Sequence, residues 1–284
     1  MSITYKDASG VEGMRIAGKL ASEVLDFLTP HIQPGITTRE IDRLASECMQ
    51  QQGSISATLG YQPSGYPPYP ASLCTSVNHV VCHGIPGAPI PKSGTETISK
   101  DLEKRRPDDR LFDGDILNID VTAILDGWHG DTSRMFLVGD VSIKARKLVD
   151  VTYECLMLGL EQARPGNRLG DISHAIQSHA EKHRYGIVRD FCGHGLGRLF
   201  HDSPEVVHAG RPGTGPELRP GMFFTVEPMI NIGRGDCKLL DDGWTAVTRD
   251  RSLSAQFEHS IGITETGHEV FTLSPAGYTK PPYL

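Results

Sequence analysis

Asn118-Ile119-Asp120-Val121-Thr122-Ala123-Ile124-Leu125-Asp126-Gly127-Trp128-His129-Gly130-Asp131-Thr132-Ser133-Arg134 is the stretch from which the fold is read. Leu117, Ile119, Val121, Ala123 and Leu125 alternate with the residues between them, the period-two signature of a strand with one buried face. Asp126-Gly127 supplies two residues that tolerate positive φ in a tight hairpin turn. With the turn there, Leu125 pairs with Trp128 and Thr122 faces Asp131. Asp120 then lies diagonal to Asp131 on the same face, at roughly 7–8 Å between backbones. Two carboxylates so placed do not both stay ionised without a cation or a shared proton. From this stretch alone two readings stand side by side: the exposed polar face of an edge hairpin, or a cation-binding pair.

The 284 residues suffice for one large core or two modest domains. A net charge of −7 argues against a general nucleic-acid binder. No apolar run approaches membrane-spanning length, so no membrane partner is expected. The polar start Met1-Ser2-Ile3-Thr4-Tyr5-Lys6 does not read as a signal peptide, and a cytoplasmic protein is expected. Cys48, Cys74, Cys82, Cys155, Cys192 and Cys237 form no C-x-x-C pair, so neither a zinc ribbon nor a redox dithiol is written here. Free thiols are the expectation.

Outward from the hairpin, the chain repeats itself. Val11, Met14, Ala17, Leu20, Val24 and Leu28 recur at helical spacing, and Pro30 and Pro34-Gly35 close that helix. Thr37-Thr38-Arg39-Glu40 reads as a capping box, Glu40 reaching back to Thr37, that opens a helix to about Gln52. Residues 53–70 read as loop with at most a short strand. After the hairpin, Ile143 to Ala163 is helical, Pro165-Gly166 breaks it, and another helix through Asp171 and Ile172 ends near Gly186. Pro34-Gly35 before Glu40-Ile41 and Pro165-Gly166 before Asp171-Ile172 share one internal spacing. Gly114 precedes Asp120 by the same interval as Gly221 precedes Glu227, each glycine opening an apolar strand (Leu111 to Val121; Leu218 to Pro228) that delivers a carboxylate. Two echoes in one order indicate a duplicated helix-helix-strand unit. The expectation is an α+β fold, one domain over 1–284 with pseudo-symmetric halves of about 1–141 and 142–284. Residues 91–110, polar and charged, read as a surface insertion in the first half.

The second half adds Gly193-His194-Gly195-Leu196-Gly197, Glu227 before Pro228, and Glu258 in Gln256-Phe257-Glu258-His259. Glycines around His194 leave a ligand room; the plainer readings are a loop histidine or a phosphate-cradling turn, although the spacing fits neither Walker nor dinucleotide patterns. Glu227 follows Phe223, Phe224 and Val226 in a strand expected to be buried on both faces, where a carboxylate needs a partner or a metal. Glu258 alone reads as a surface strand residue. Together Asp120, Asp131, His194, Glu227 and Glu258 offer four carboxylates and one imidazole, a donor set suited to two hard or borderline divalent cations.

These residues fall in motifs that resemble those of bacterial type I methionine aminopeptidases, enzymes of the pita-bread fold. The resemblance runs from Ile3 to about Thr272. It includes Val80-Val81-Cys82-His83-Gly84-Ile85-Pro86, Asn118-Ile119-Asp120-Val121, His129-Gly130-Asp131-Thr132, Cys192-Gly193-His194-Gly195, Thr225-Val226-Glu227-Pro228-Met229 and Ser254-Ala255-Gln256-Phe257-Glu258-His259. It implies a pseudo-twofold sheet, mainly antiparallel and curved, and two divalent ions per chain (Co, Mn, Fe or Zn). By the same resemblance Asp120 is a ligand of one ion and a partner for the substrate's free amine, and Asp131 and Glu258 are bridges. His194 and Glu227 hold the other ion, with Glu227 also taking a proton from water. His83 is placed beside the scissile amide and His201 near the tetrahedral intermediate; each reads as an ordinary loop histidine without the resemblance. Tyr61, Tyr69, Cys74, Phe200 and Trp244 match the methionine pocket, and Asn78, Val80 and Ser254 a monovalent cation site (Na or K).

Two departures mark this chain. Thr58 stands where many relatives carry a pocket cysteine, and the loop from Gln62 to Pro68 is longer than usual. Tyr69, not Tyr66, keeps the family spacing to Cys74. The implied activity is removal of initiator methionine from nascent chains with a small second residue, by a monomer, with the ribosome as the expected meeting place. An X-Pro-cleaving relative is expected to show a longer N-terminal domain and extra histidines, and a non-catalytic binding protein to have lost ligands.

Overall fold

The computed structural model describes residues 2–91 and 108–283, so most of the expected 91–110 insertion lies outside the described residues. The first half runs through α1 (Ala8–Leu28), α2 (Thr38–Gln51), β1 (Ile55–Ser56), β2 (Cys74–Val77), β3 (Val80–Cys82), β4 (Ile116–Leu125) and β5 (Trp128–Leu137). The second opens with α3 (Ile143–Glu161) and α4 (Leu169–Lys182), then β6 (Gly186–Ile187), β7 (Gly193–Gly195), β8 (Asp202–Val206), β9 (Phe223–Val226) and β10 (Met229–Asn231). β11 (Cys237–Leu239), β12 (Ala246–Thr248), β13 (Ser254–Gln256), β14 (His259–Ile263) and β15 (His268–Val270) complete it. Every strand pair in the sheets is antiparallel.

The hairpin takes the register read from its turn. Leu125 faces Trp128, Thr122 faces Asp131 and Asp120 faces Ser133, and Asp126 and Gly127 adopt φ of 50° and 76°. It is not an edge with a solvated face: β4 is flanked by β5 on one side and by β1 and β2 on the other.

The duplicated glycines carry equivalent bonds. Gly114 (φ 95°) donates its N–H to Val138 O just past β5, and Gly221 (φ 86°) donates to Ile263 O at the end of β14. Gly35 N–H bonds Leu111 O and Gly166 N–H bonds Leu218 O. The N-cap of each half's second helix also makes an isolated antiparallel bridge, Thr37 with Arg110 and Arg168 with Glu217. Apolar packing follows the same division. Leu20, Val24, Ile41, Leu117, Val121 and Phe136 belong to one cluster, and Leu148, Leu156, Ile172, Phe224, Val226 and Ile261 to another.

Some expected boundaries move. β4 begins at Ile116, not Leu111, and β9 at Phe223, not Leu218, because the positive-φ glycines turn the chain immediately before each strand. α4 ends at Lys182, short of Gly186, where Arg184 at φ 61° breaks the helical path. Thr37 Oγ1 caps α2 by accepting Glu40 N–H at 3.1 Å. The Glu40 carboxylate does not return to Thr37 as expected, but pairs with Arg43 at 2.6 Å.

α1 lies across the hairpin at very short range, and Gly130 permits it. A Cβ there would stand 2.0 Å from Ala17 O on α1. That contact is with backbone, so helix and strand must separate to admit it. Gly130→Ala is expected to destabilise the fold by about 1–3 kcal/mol or more through overpacking, read as a lower denaturant midpoint; an unchanged midpoint overturns the close-approach argument.

Candidate metal centre and substrate cleft

Two strand pairs deliver the carboxylates. β4 and β5 carry Asp120 and Asp131, while Glu227 follows β9 and Glu258 precedes its partner β14, where Val226 faces His259. The pairs are joined directly: Glu258 N–H bonds Ser133 O at 3.1 Å, Thr132 Oγ1 donates to Glu258 O at 2.8 Å, and Ser260 Oγ donates to Asp131 O at 2.6 Å. Glu258, which reads as a surface residue in isolation, is 2% exposed because this junction closes over it. His194 lies in β7 and not in a loop, its strand pairing with β8 and β9.

One ligand atom from each of Asp131, His194 and Glu258 falls within 4.8 Å of the others. His194 Nε2 is 3.5 Å from Asp131 Oδ2 and 3.9 Å from Glu227 Oε1. Its Nδ1 lies 3.1 Å from Gly195 O, which holds the ring so that the Nε2 lone pair can face the carboxylates. Thr122 Oγ1 donates to Asp131 Oδ1 at 2.8 Å. Thr225 Oγ1 donates to Glu227 Oε1 at 2.7 Å and accepts His194 N–H at 3.0 Å, tying two site residues to one hydroxyl. Gln256 Nε2 donates to Glu227 Oε2, and Glu227 N–H donates to His208 Nε2. Asp120 Oδ1 is sealed from water with no hydrogen-bond partner.

The electrostatics call for a cation. Among the described residues no Lys or Arg lines the cleft. Burial, then the neighbouring Asp131, raises Asp120 and Glu258 well above the usual carboxyl range. Burial pushes Glu227 up to about 7, although His194 and the Thr225 hydroxyl oppose it. For His194 burial alone lowers proton affinity, but the Asp131 hydrogen bond and Glu227 outweigh it and the net shift is upward. A donor set of this kind, oxygen-rich with one imidazole, fits divalent cations, which would replace the protons that the ion-free cluster must hold.

The cleft encloses about 370 Å³. Cys74 is directly opposite Asp120 across β2 and β4, so the carboxylate end and the apolar end meet at one strand pair. Tyr69, Cys74 and Trp244 pack together, with Tyr61 at their margin. Tyr69 is 2% exposed, its hydroxyl donating to Gly84 O at 2.9 Å, whereas Tyr66 stands at the rim against Trp244, ring centroids 5.2 Å apart. The longer Gln62–Pro68 loop is therefore packed on the pocket wall: Trp244 Nε1 donates to Pro67 O at 3.0 Å. Thr58 keeps its hydroxyl on Ala71 O and Ser56, a polar edge where a thiol would be softer.

His83 sits in the left-handed region at φ 54°, uncommon for a residue with a Cβ, its ring edge-on to Phe191 and Trp244. Gly84 must follow it, since a Cβ there would meet Thr75 O at 2.2 Å. His201 Nδ1 lies 2.9 Å from the Tyr61 hydroxyl, and its ring is 4.1 Å from that of His194 and also packs on Phe200. Burial holds both imidazoles neutral, down to about 4 for His83 and about 3 for His201. Asn78, Val80 and Ser254 come together away from this cleft: Ser254 N–H bonds Asn78 O, and β3, which begins at Val80, lies alongside. The residues that motif reading passed over are Thr225, Gln256, His208 and Phe191. Thr225 was within reach, two positions before Glu227 on the same strand face; His208 has no local signal.

Two paired strand sets converging on a buried carboxylate–imidazole cluster, beside a closed apolar pocket, define a metallohydrolase of the pita-bread class. The chain matches the metallopeptidase family M24 over residues 12–265. Methionine aminopeptidase of Rickettsia prowazekii (strain Madrid E) is 54% identical over 271 residues, covering 95% of each chain. That of Escherichia coli (strain K12) is 45% identical over 276 residues, covering 96% of this chain and 95% of the relative. The crystal structure of methionine aminopeptidase from Rickettsia prowazekii superposes with a TM-score of 0.85, covering 96% of this chain and all of the other at 52% identity. The chain belongs to metallopeptidase family M24, and within it to the bacterial methionine aminopeptidases.

Removing the cations exposes the electrostatic cost. A carboxyl that keeps its proton in the fold above the usual 4.5 adds stability below that value and loses it as pH rises through about 7, as for Glu227. The gap in thermal midpoint between metal-loaded and chelator-stripped protein is therefore expected to widen from about pH 5 to about pH 8. A gap independent of pH overturns the assignment of ions to these carboxylates.

Proposed function

We propose that the protein removes the initiator methionine from nascent chains with a small second residue, using two divalent ions. The observation that carries this reading is the direct opposition of Cys74 and Asp120, which sets a soft apolar pocket beside an unpartnered carboxylate oxygen. A thioether suits the aromatic and thiol walls of Tyr61, Tyr69, Cys74, Phe200 and Trp244. A free α-ammonium suits Asp120 as a charge-assisted partner. A blocked or internal methionine lacks that charge, which makes the cleft an exopeptidase site.

In this reading Asp120 and Asp131 would hold one ion, His194 and Glu227 the other, with Asp131 and Glu258 shared between the two. Ions there supply Lewis acidity to the scissile carbonyl and acidify the attacking water. Glu227 would accept the water's proton, its carboxylate held in place by hydrogen bonds from Thr225 and Gln256. His83 donates to the amide as it turns tetrahedral, and His201, fixed by Tyr61, stabilises the same species. Both are neutral near pH 7, so each offers an N–H without bringing a full charge. A monovalent cation (Na or K) beside Asn78, Val80 and Ser254 is supported by two buried oxygens without hydrogen-bond partners, Ser254 Oγ and Asn231 Oδ1, on residues facing each other across β10 and β13. The enzyme is read as a cytoplasmic monomer that meets its substrate at the ribosome; among the described residues no helix is long and apolar enough to cross a membrane.

The direct test is product analysis. Met-Ala-Ser should release free methionine, while N-acetyl-Met-Ala-Ser and Met-Leu-Ser should be cleaved far more slowly; equal cleavage of the acetylated peptide sinks the reading. His83→Ala separates chemistry from binding. Loss of a donor felt in the transition state is expected to lower kcat by about 10²–10³, or roughly 3–4 kcal/mol, with metal content unchanged. Ions lost together with activity would make His83 a ligand or a support.

A further inference from the structure

A second cluster of ligand-type side chains lies outside the cleft, on the paired helices of the second half. His179 and His183 stand four residues apart at the end of α4, one helical turn, so both rings project from one face. Their ring centroids are 4.8 Å apart. Glu154 reaches across from α3, its Oε2 2.7 Å from His179 Nε2. One ligand atom of each of the three lies within 4.8 Å of the others.

The supports are rigid. Glu154 adjoins Cys155, which is buried and whose thiol contacts Ile176 O on α4. Close by, Gly159 of α3 lies so near Ile176 that a Cβ would meet its side chain at 2.8 Å. The carboxylate and the two imidazoles are thus presented from helices that cannot drift apart without opening the core. Two histidines at this helical spacing on one face form a ready chelate for zinc-like ions. The donor set also differs in kind from that of the cleft, with two nitrogens and one oxygen where the cleft has one nitrogen and four carboxylates. Imidazole-rich sites take late first-row ions, and affinity follows the order that puts copper, nickel and zinc above manganese.

We propose that Glu154, His179 and His183 form a third metal site, a clamp between α3 and α4 that takes Zn²⁺, Ni²⁺ or Cu²⁺ with water completing the coordination. Burial lowers the proton affinity of His183, and His179 and Lys147 lower it further, which leaves a free lone pair at neutral pH. Lys147 and Lys182 are the nearby cations that oppose a bound ion, and Glu154 offsets them. The site is remote from catalysis and acts on stability: an ion here ties two helices of the second half.

The test uses enzyme already loaded at its catalytic centre. Titrated with Zn²⁺, wild type should bind one more equivalent than His179→Ala/His183→Ala, by calorimetry and by elemental analysis. His183→Gln and Glu154→Gln should each weaken that equivalent by at least the roughly 10–100-fold that losing an outer-shell partner costs. His174→Ala, on the same helix and outside the cluster, should leave it unchanged. Bound Cu²⁺, added with the cleft already filled by its own ions, should show nitrogen splitting from two imidazoles that is lost in His179→Ala/His183→Ala. kcat on Met-Ala-Ser should be equal in all variants. If the double variant fails to fold in chelator, the single variants decide. Equal stoichiometry in wild type and variants, or copper splitting from one nitrogen alone, overturns the site.

Discussion

Four carboxylates converge on one imidazole in a cleft with no Lys or Arg in its lining among the described residues, and much of the architecture follows from making that tolerable. Buried like charges are among the costliest arrangements a fold can hold unless protons or cations compensate them. The structure fixes the donors so firmly that they cannot relax into water. Thr132, Ser133 and Ser260 stitch the first strand pair to the second through Glu258 and Asp131. Thr122 and Thr225 hold one oxygen each of Asp131 and Glu227. A cluster so pinned lowers its energy by taking up ions, and the free energy of ion binding becomes part of the stability of the fold.

Duplication explains how such a cluster is built, and departures from symmetry explain how it becomes useful. Gly114 with Val138, and Gly221 with Ile263, are the same turn written twice, the first opening a strand that carries Asp120 and the second one that leads into Glu227. Perfect symmetry would give two equivalent pairs and no direction for a substrate. Direction comes from the different side chains carried by corresponding strands, β7 beside β9 and β2 beside β4. β7 brings His194 to the second pair, while β2 brings Cys74 against Asp120 of the first. Asp120 beside Cys74 and Glu227 beside His194 thereby lie on opposite sides of one pseudo-twofold axis.

How much of this could be read from residues alone varies with the range of the interaction. The hairpin register followed from Asp126-Gly127 and strict alternation, both local. The repeat followed from glycine and proline spacing, since each positive-φ glycine marks a backbone turn that other residues adopt poorly. Strand starts were misplaced because the same glycines end the preceding loop, and apolar residues such as Leu111 and Leu218 are buried without being in strands. Glu258 was illegible locally: its burial depends on Ser133, far away in sequence. Glu40 could satisfy either Thr37 or Arg43, and the arginine won, which spacing could not decide. The ligand set became legible only as a constellation of motifs. His208, whose ring nitrogen accepts the Glu227 N–H, lay beyond any pattern in the chain.

The histidines in and behind the cleft divide by charge in a way that follows from the same constraint. Burial drives His83, His201 and His208 toward neutrality, to about 4, 3 and 3, because none has a carboxylate close enough to prevail. His194 goes the other way, since Asp131 and Glu227 face its Nε2. The imidazole that holds a proton in the ion-free chain is therefore the one whose nitrogen points at the carboxylates. A cation held there would take the place of that proton. Neutral His83 and His201 add no positive charge to compete with that cation or with an incoming ammonium, yet each retains an N–H to donate. One imidazole thus stands among the acids, while His83 and His201 stand among Phe191, Phe200, Tyr61 and Trp244, and their surroundings alone set them apart.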